Sequence, residues 1–122
     1  MLTDTTFWID LFQERRFGKR GRASRFVAAN RAQTMSLSII TWGELAEGFN
    51  DSSALESVLR NVSVLPLPRH VAWETSRIQR TLLQRLGEND AWIAATALVW
   101  GKRLVTNDEA FKRVPRLVTV KY

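Results

Sequence analysis

The chain has 122 residues, no cysteine and a formal net charge of +6. A chain of this length is predicted to form one domain, residues 1–122, and it can bury a core without disulfides or a structural metal. The lack of cysteine excludes a thiol nucleophile and a Cys-ligated zinc site, and it agrees with a cytoplasmic location. No signal-peptide pattern and no membrane-spanning stretch are predicted. The excess of positive charge favours a polyanionic partner or an acidic protein.

Strand patterns alternate with helical ones along the chain, which predicts an α/β fold with a mainly parallel sheet. The strands are predicted at residues 1–4, 34–38, 62–67, 103–106 and 117–121. The helices are predicted at residues 5–12, 24–31, 39–49, 52–60, 71–86 and 90–100, with a helical turn at 109–114. Thr5 or Thr6 is expected to cap the first helix, and Gly87 to end the fifth. The helix at 90–100 is apolar nearly all round, so it is expected in the centre of the core.

The positive charge is concentrated in one segment of the chain. No aspartate or glutamate occurs between residues 15 and 43, whereas seven basic residues lie between residues 15 and 31. Such a segment presents a positive field to a phosphate backbone or to an acidic partner. Six of these side chains are predicted to bind nucleic acid: Arg15, Arg16, Lys19, Arg20, Arg22 and Arg25.

Four of the twelve acidic residues lie where an α/β fold would bring them together. Asp4 closes the first predicted strand and Asp108 follows the fourth, and ligands of open α/β sheets bind outside the carboxyl ends of the strands. Glu44 lies in the helix after the second strand. Asp90 begins the central apolar helix, where an acid can also serve merely as a cap, because a helix N-terminus favours negative charge.

Carboxylates gathered in one place repel one another unless protons or a cation neutralise them. Mg²⁺ suits such a cluster because it prefers oxygen ligands and retains water molecules. A cation held in this way can bind phosphate oxygens and activate water for hydrolysis. An acidic metal site beside a basic segment would therefore suit a phosphodiester substrate.

Four short motifs, spread over the whole chain, carry a resemblance to a known family. They are Leu2-Thr3-Asp4-Thr5, Ser38-Ile39-Ile40-Thr41-Trp42-Gly43-Glu44-Leu45 with Gly48, Asn89-Asp90-Ala91-Trp92-Ile93-Ala94-Ala95-Thr96-Ala97, and Leu104-Val105-Thr106-Asn107-Asp108 with Phe111. In this order and on this chain length they resemble the motifs of PIN-domain ribonucleases, and among these the toxins of the VapC type. The resemblance implies an α/β/α sandwich that hydrolyses single-stranded or looped RNA with Mg²⁺ or Mn²⁺. It also implies a homodimer and a cognate antitoxin whose tail occupies the active groove.

The resemblance also assigns roles to individual residues. The catalytic and metal-binding residues would be Asp4, Glu44, Asp90 and Asp108, acting on the metal directly or through water. The hydroxyl of Thr106 could orient a carboxylate or a metal-bound water, although Thr106 could equally be an ordinary strand residue.

The sequence departs from the family pattern at two positions. Relatives usually carry Asn or Ser two residues after the first aspartate, where this chain has Thr6, so a polar contact from that site can differ. Many relatives carry an acid before the phenylalanine of the last motif, where this chain has Ala110. This change puts a full second metal site in doubt, unless Glu109 replaces the missing acid.

Other functions agree less well with these residues. A non-catalytic RNA- or protein-binding module on the same fold remains an alternative, because Thr6 and Ala110 weaken the pattern. A phosphatase with Asp4 as nucleophile would need a second acid at position 6. His70 is the single histidine and has no catalytic partner in the sequence. Trp8 and Trp42 lie close in sequence to acids and are candidates for stacking on bases, although tryptophans at helical positions belong more often to the core.

Overall fold

The computed structural model describes residues 1–122 and contains a five-stranded sheet. All four strand pairings are parallel, in the order β3-β2-β1-β4-β5. The strands are β1 (Leu2–Thr3), β2 (Ser36–Ser38), β3 (Ser63–Leu65), β4 (Leu104–Val105) and β5 (Thr119–Val120). The predicted α/β fold with a mainly parallel sheet is therefore confirmed, and every predicted strand is present.

The strand order reverses at the centre of the sheet. From β1 the chain moves outward to β2 and β3, and it then returns to the other side of β1 to form β4 and β5. The reversal lies between β1 and β4, which pair through Leu2 with Leu104 and through Thr3 with Val105. Side chains that follow these two strands at their carboxyl ends therefore enter the crevice where ligands of open α/β sheets bind.

Helices cover both faces of the sheet. They are α1 (Thr5–Arg16), α2 (Arg22–Ala29), α3 (Ile39–Ala46), α4 (Ser52–Val58), α5 (Arg69–Thr81) and α6 (Glu88–Val99), with a 3₁₀ turn at Glu109–Arg113. One apolar cluster joins α5 and α6 to Leu2 and Leu104, and a second joins α1, α2 and α4 to Leu37 and Val105. Strand side chains alternate between the two faces, so each face needs its own helical cover. No helix is both long and apolar enough to cross a membrane.

Helix α1 differs from its predicted bounds at both ends. Its cap is Asp4 rather than Thr5 or Thr6, because the Asp4 carboxylate accepts the backbone N–H of Phe7 at 2.9 Å. The helix continues to Arg16 instead of ending near Phe12, and it stops shortly before Gly18, which has a φ of +63°. Glycine tolerates this left-handed backbone without strain. As a result, Arg15 belongs to the last turn of a helix, not to a loop.

Helix α5 is shorter than predicted. It ends at Thr81, and Gly87 is the N-cap residue of α6 rather than the end of α5. The reason lies in the buried side chain of Gln79, which donates to the Leu86 carbonyl at 2.9 Å and accepts from the Leu86 amide at 3.0 Å. These two bonds hold residues 82–86 in a turn across the end of the helix. Continuing the helix would break both of them.

Candidate metal centre

The most buried acid of the chain is Asp4, which is 4% exposed. It directly follows β1 and caps α1, so strand and helix together fix its position. One carboxylate oxygen, Oδ1, accepts the Phe7 amide at 2.9 Å, and the other, Oδ2, accepts the Thr106 hydroxyl at 2.5 Å. Each oxygen has further acceptor capacity, because an ionised carboxylate offers about four lone-pair sites.

Thr106 connects two of the four predicted acids. Its buried hydroxyl donates to Asp4 and accepts the backbone N–H of Asp108 at 3.0 Å. Asp108 is exposed, and its Oδ1 accepts the Ala110 amide at 2.9 Å, which caps the 3₁₀ turn. The adjacent strands β1 and β4 thus deliver Asp4 and Asp108 to one end of the sheet, with a single hydroxyl between them.

Glu44 reaches the same end of the sheet from α3. This helix begins directly after β2, where Ser38 accepts the Thr41 amide at 3.1 Å. The Glu44 carboxylate accepts the Thr5 hydroxyl at 2.6 Å, and that hydroxyl also lies 3.2 Å from the hydroxyl of Thr41. Because Thr5 directly follows Asp4, the bond ties Glu44 to the start of α1.

Asp90 differs from the other three acids because its half-buried carboxylate makes no hydrogen bond. It lies in the first turn of α6, and Gly87 rather than Asp90 is the N-cap residue. Asp90 is therefore not the N-cap residue, although it lies in the first turn of α6, where negative charge is favoured.

The electrostatics of the four carboxylates show that they share one neighbourhood. Burial raises the pKa of Asp90, and the charges of Asp108, Glu44 and Asp4 raise it further. Burial also raises the pKa of Asp4, as does the charge of Asp108, although hydrogen bonds from Thr106 and Phe7 oppose the change. A raised carboxylate pKa means that the ionised form is disfavoured where it lies. A cation in this place would relieve that cost.

The four carboxylates lie within Coulombic reach of one another but do not form a closed ligand set. No three acidic or histidine side chains stand close enough to surround one ion as they are oriented here. Electrostatic coupling extends beyond the length of a metal–oxygen bond, so carboxylates too far apart to share one ion directly still raise the pKa of Asp90. The donor set consists of oxygen atoms only, and Mg²⁺ keeps several waters when it binds to one or two carboxylates. These residues therefore fit a hydrated divalent cation.

Two polar residues beside the acids, Thr5 and Asn107, were not identified as site residues from the sequence. Thr6 was predicted to contribute a polar contact, but its side chain is exposed and makes no hydrogen bond, whereas the neighbouring Thr5 binds Glu44. Asn107 accepts the backbone N–H of Tyr122 at 3.0 Å. Thr5 and Asn107 lie next to Asp4 and Asp108 in the sequence motifs. This adjacency to a candidate acid is the sequence signal that could have identified them.

The six predicted nucleic-acid-binding residues are all exposed, and none forms an ion pair. The segment that carries them is anchored by Glu14, whose carboxylate accepts the amides of Ala23 and Ser24 and the Ser24 hydroxyl. A Cβ at Gly21 would overlap the end of the Glu14 side chain, so a larger residue there would require that side chain to shift. The segment is therefore fixed to α1 while its basic side chains stay exposed and form no ion pairs.

A groove of about 720 Å³ is lined by Arg15 and Arg16 of the basic segment and by Glu44, which is the one member of the four acids that reaches it. Apolar side chains such as Phe12 and Phe49 line it as well. A polyanion bound to the two arginines could thus extend along the groove towards Glu44.

Of the tryptophans near the acids, Trp8 belongs to the core and Trp42 is partly buried against it. Trp8 is 3% exposed and donates its ring N–H to Thr3. The ring nitrogen of Trp42 is buried as well. The exposed tryptophans are instead Trp73, which is 63% exposed and lies under the guanidinium of Arg80, and Trp100.

Fold and site together define a parallel α/β protein with an acidic centre at the reversal of its strand order. The family model of the PIN domain matches residues 1–117. The chain therefore belongs to the PIN domain family. The resemblance seen in the four sequence motifs is confirmed, and with it the class, because PIN domains are nucleases.

Solved structures agree with this assignment. The chain is 26% identical to a chain of a toxin–antitoxin complex from Klebsiella pneumoniae, with 97% of this chain and 95% of that chain covered and a TM-score of 0.73. It is 25% identical to a chain of VapBC-1 from nontypeable Haemophilus influenzae, with coverage of 98% and 96% and a TM-score of 0.81. DNA-bound VapBC from Salmonella typhimurium, at 23% identity, 98% and 96% coverage and a TM-score of 0.82, supports the fold alone. No curated protein sequence matches the chain.

Proposed function

We propose that this PIN-domain protein is a metal-dependent endoribonuclease that acts as the toxin of a toxin–antitoxin pair. The observation that supports the proposal is the attachment of Asp4, Glu44 and Asp108 to one end of the sheet through the hydroxyls of Thr5 and Thr106, with the Asp90 carboxylate electrostatically coupled to them. The basic segment next to the site supports a nucleic-acid substrate. Its exposed side chains are free of internal ion pairs, so they can bind phosphates without first breaking an ion pair.

In this function the four acids hold Mg²⁺ or Mn²⁺ directly or through water. A bound divalent cation supplies charge neutralisation for the phosphate and lowers the pKa of a coordinated water. Asp90, which has no hydrogen-bond partner, offers the carboxylate that is freest to bind. Thr106 fixes the orientation of Asp4 through its hydroxyl, and Thr5 does the same for Glu44. Arg15 and Arg16 bind the RNA backbone at the far end of the groove.

The partner in this proposal is a cognate antitoxin protein. Similar solved structures are named as toxin–antitoxin complexes, which supports such a partner for this chain. The net charge of +6 favours an acidic partner. A homodimer also belongs to the proposal, and exposed large apolar residues such as Trp73 and Leu83 supply surface that could be buried in it. Sedimentation of the purified chain tests this last point, since a monomer at every concentration would contradict it.

The decisive experiment compares two helix-capping aspartates. Asp4→Asn and Asp51→Asn both keep the cap, because Asn caps a helix about as well as Asp. Only Asp4 belongs to the acidic centre, whereas the exposed Asp51 caps α4. Purified variants are incubated with single-stranded and hairpin RNA in Mg²⁺ or Mn²⁺, with EDTA as the metal-free control.

We expect the Asp51→Asn protein to cleave RNA like the wild type and the Asp4→Asn protein to lose cleavage while it still binds RNA. We also expect the wild type and the Asp51→Asn protein to lose cleavage in EDTA. RNA that is bound but left intact by the wild type would contradict the enzyme and support the non-catalytic binding module.

A further inference from the structure

Tyr122, which follows β5, contacts the two segments that carry Asp4 and Asp108. Its hydroxyl donates to Asp10 Oδ2 at 2.8 Å, and its ring meets the ring of Phe7 edge to face at a centroid distance of 5.0 Å. Phe7 and Asp10 both belong to α1, and the Phe7 amide is the one that binds Asp4. One end of the tyrosine is therefore attached to the helix that Asp4 caps.

The backbone of Tyr122 holds the other segment. Its N–H donates to Asn107 Oδ1 at 3.0 Å, and Asn107 lies between Thr106 and Asp108. The Thr106 amide is bound in turn to the Val120 carbonyl at 2.9 Å. One residue therefore spans from α1 to the loop whose hydroxyl binds Asp4 and whose next acid is Asp108.

The Asp10–Tyr122 bond is better suited to this task than the ion pair beside it. Lys121 lies 2.6 Å from Glu109, but both side chains are more than half exposed, and exposed ion pairs contribute little to stability. Asp10 and Tyr122 are both partly buried. Burial and the hydrogen bond to Asp10 raise the pKa of Tyr122, so the phenol stays protonated and remains a donor.

We propose that Asp10 and Tyr122 form a clamp that positions the Thr106–Asp108 loop against Asp4 in the acidic centre. The two residues act as positioning residues and do not touch the metal or the RNA. Without the clamp, Asp108 is held only through its contacts with Thr106 and Ala110, and the side chain itself is exposed. This inference rests on the proposed nuclease function for its effect on catalysis, but the position of the loop can be measured without it.

The test uses substitutions that separate the hydrogen bond from the charge. Asp10→Asn removes the charge but keeps a carbonyl oxygen that can accept the phenol, whereas Asp10→Ala removes both. Tyr122→Phe removes the donor and keeps the ring on Phe7. Lys121→Gln is the matched control, because it removes the neighbouring exposed ion pair.

The first measurement is amide hydrogen exchange of the metal-free proteins. In the Asp10→Ala and Tyr122→Phe proteins we expect exchange at residues 106–108 to accelerate roughly tenfold, while α6 keeps its protection. The Asp10→Asn and Lys121→Gln proteins should resemble the wild type. Faster exchange throughout the chain would indicate a merely structural contact and would overturn the clamp. Unchanged exchange in the Asp10→Ala and Tyr122→Phe proteins would overturn it as well.

The second measurement is RNA cleavage with Mn²⁺. Removing the groups that orient metal ligands commonly costs about 10- to 100-fold, so we expect the two disrupting variants to lose kcat in this range with little change in KM. Asp10→Asn should restore kcat to within about twofold, because the acceptor is retained. If the wild type cleaves no RNA, the proposed function fails, and the exchange data alone decide on the clamp.

Discussion

The acidic centre and the basic segment are built in opposite ways. The four acids are separated by up to about a hundred positions in the chain. Asp4, Glu44 and Asp108 come to one end of the sheet because β1, β2 and β4 are neighbours, whereas Asp90 comes from α6, which packs against α3. Asp4 is buried, Asp90 is half-buried, and burial together with mutual repulsion raises the pKa of both. The basic residues are clustered in one short segment of the sequence, exposed and free of ion pairs.

This difference separates the two tasks of a nuclease. Bringing carboxylates together against their repulsion requires a rigid fold, and the resulting site is poised for a cation. Binding a polyanion requires only a positive surface, which can be supplied locally by one segment. The rate of RNA cleavage should therefore depend on individual acids, whereas the affinity for RNA should depend on the sum of the basic charges.

The largest effect should come from the acid that has no hydrogen-bond partner. Substituting Asp90→Asn removes one of the four proposed metal ligands, and because a catalytic metal is worth several kcal/mol we expect cleavage to fall by at least about 100-fold. Glu88→Gln, in the same turn of α6 but exposed, is the matched control and should leave the rate unchanged. Single-turnover cleavage of a labelled RNA measures both. Equal rates in the two variants would remove Asp90 from the acidic centre.

A smaller effect is expected from the hydroxyl that joins two acids. Thr106→Val keeps the shape of the side chain but removes the bonds to Asp4 and Asp108, and we expect a loss of about 10- to 100-fold in activity. Thr75→Val is a suitable comparison, because this buried hydroxyl binds only the Val71 carbonyl. If both variants lose the same activity, the loss reflects folding, and the proposed role of Thr106 is wrong.

The basic segment should act through many small contributions. Each phosphate of single-stranded RNA that a basic side chain neutralises adds roughly 0.7 to the dependence of log affinity on log salt. Replacing Arg20, Arg22 and Arg25 together by Gln should therefore reduce this slope by about 2. The cleavage rate at saturating RNA should stay close to that of the wild type. Fluorescence anisotropy at several salt concentrations provides the slope, and an unchanged value would assign the segment to another partner.

The smallest effect concerns the stability of the metal-free protein. The pKa of Asp90 is raised in the folded state above its ordinary value of 3.8. At a pH between the unfolded and the folded pKa, the folded chain therefore keeps a proton that the unfolded chain has released. The free energy of unfolding falls as the pH rises between these two pKa values. Asp90→Asn should remove this loss. We therefore expect the variant to gain free energy of unfolding relative to wild type as the pH rises from 3.8 towards neutrality. Urea unfolding in EDTA gives the difference, and a constant difference over this range would be contrary to the account.

The sequence predicted the acids better than it predicted what orients them. Asp4 and Asp108 could be placed because any acid that follows a strand of a parallel sheet lies at its carboxyl edge. The bond from Thr5 rather than Thr6 to Glu44 depends on which way the first turn of α1 faces, and this follows from Asp4 as the cap. The Gln79 bonds that end α5 are equally invisible to periodicity, since a tertiary contact here overrides local helix preference.

The convergence of the carboxylates can be tested most directly by locating the ion. Crystals soaked in Mn²⁺ and measured at its absorption edge should give an anomalous peak bordered by the carboxylates of Asp4 and Asp90, with waters completing the coordination. Crystals of the Asp90→Asn protein should lose that peak. Manganese bound only elsewhere on the wild-type chain, with the space between these carboxylates empty, would contradict the account.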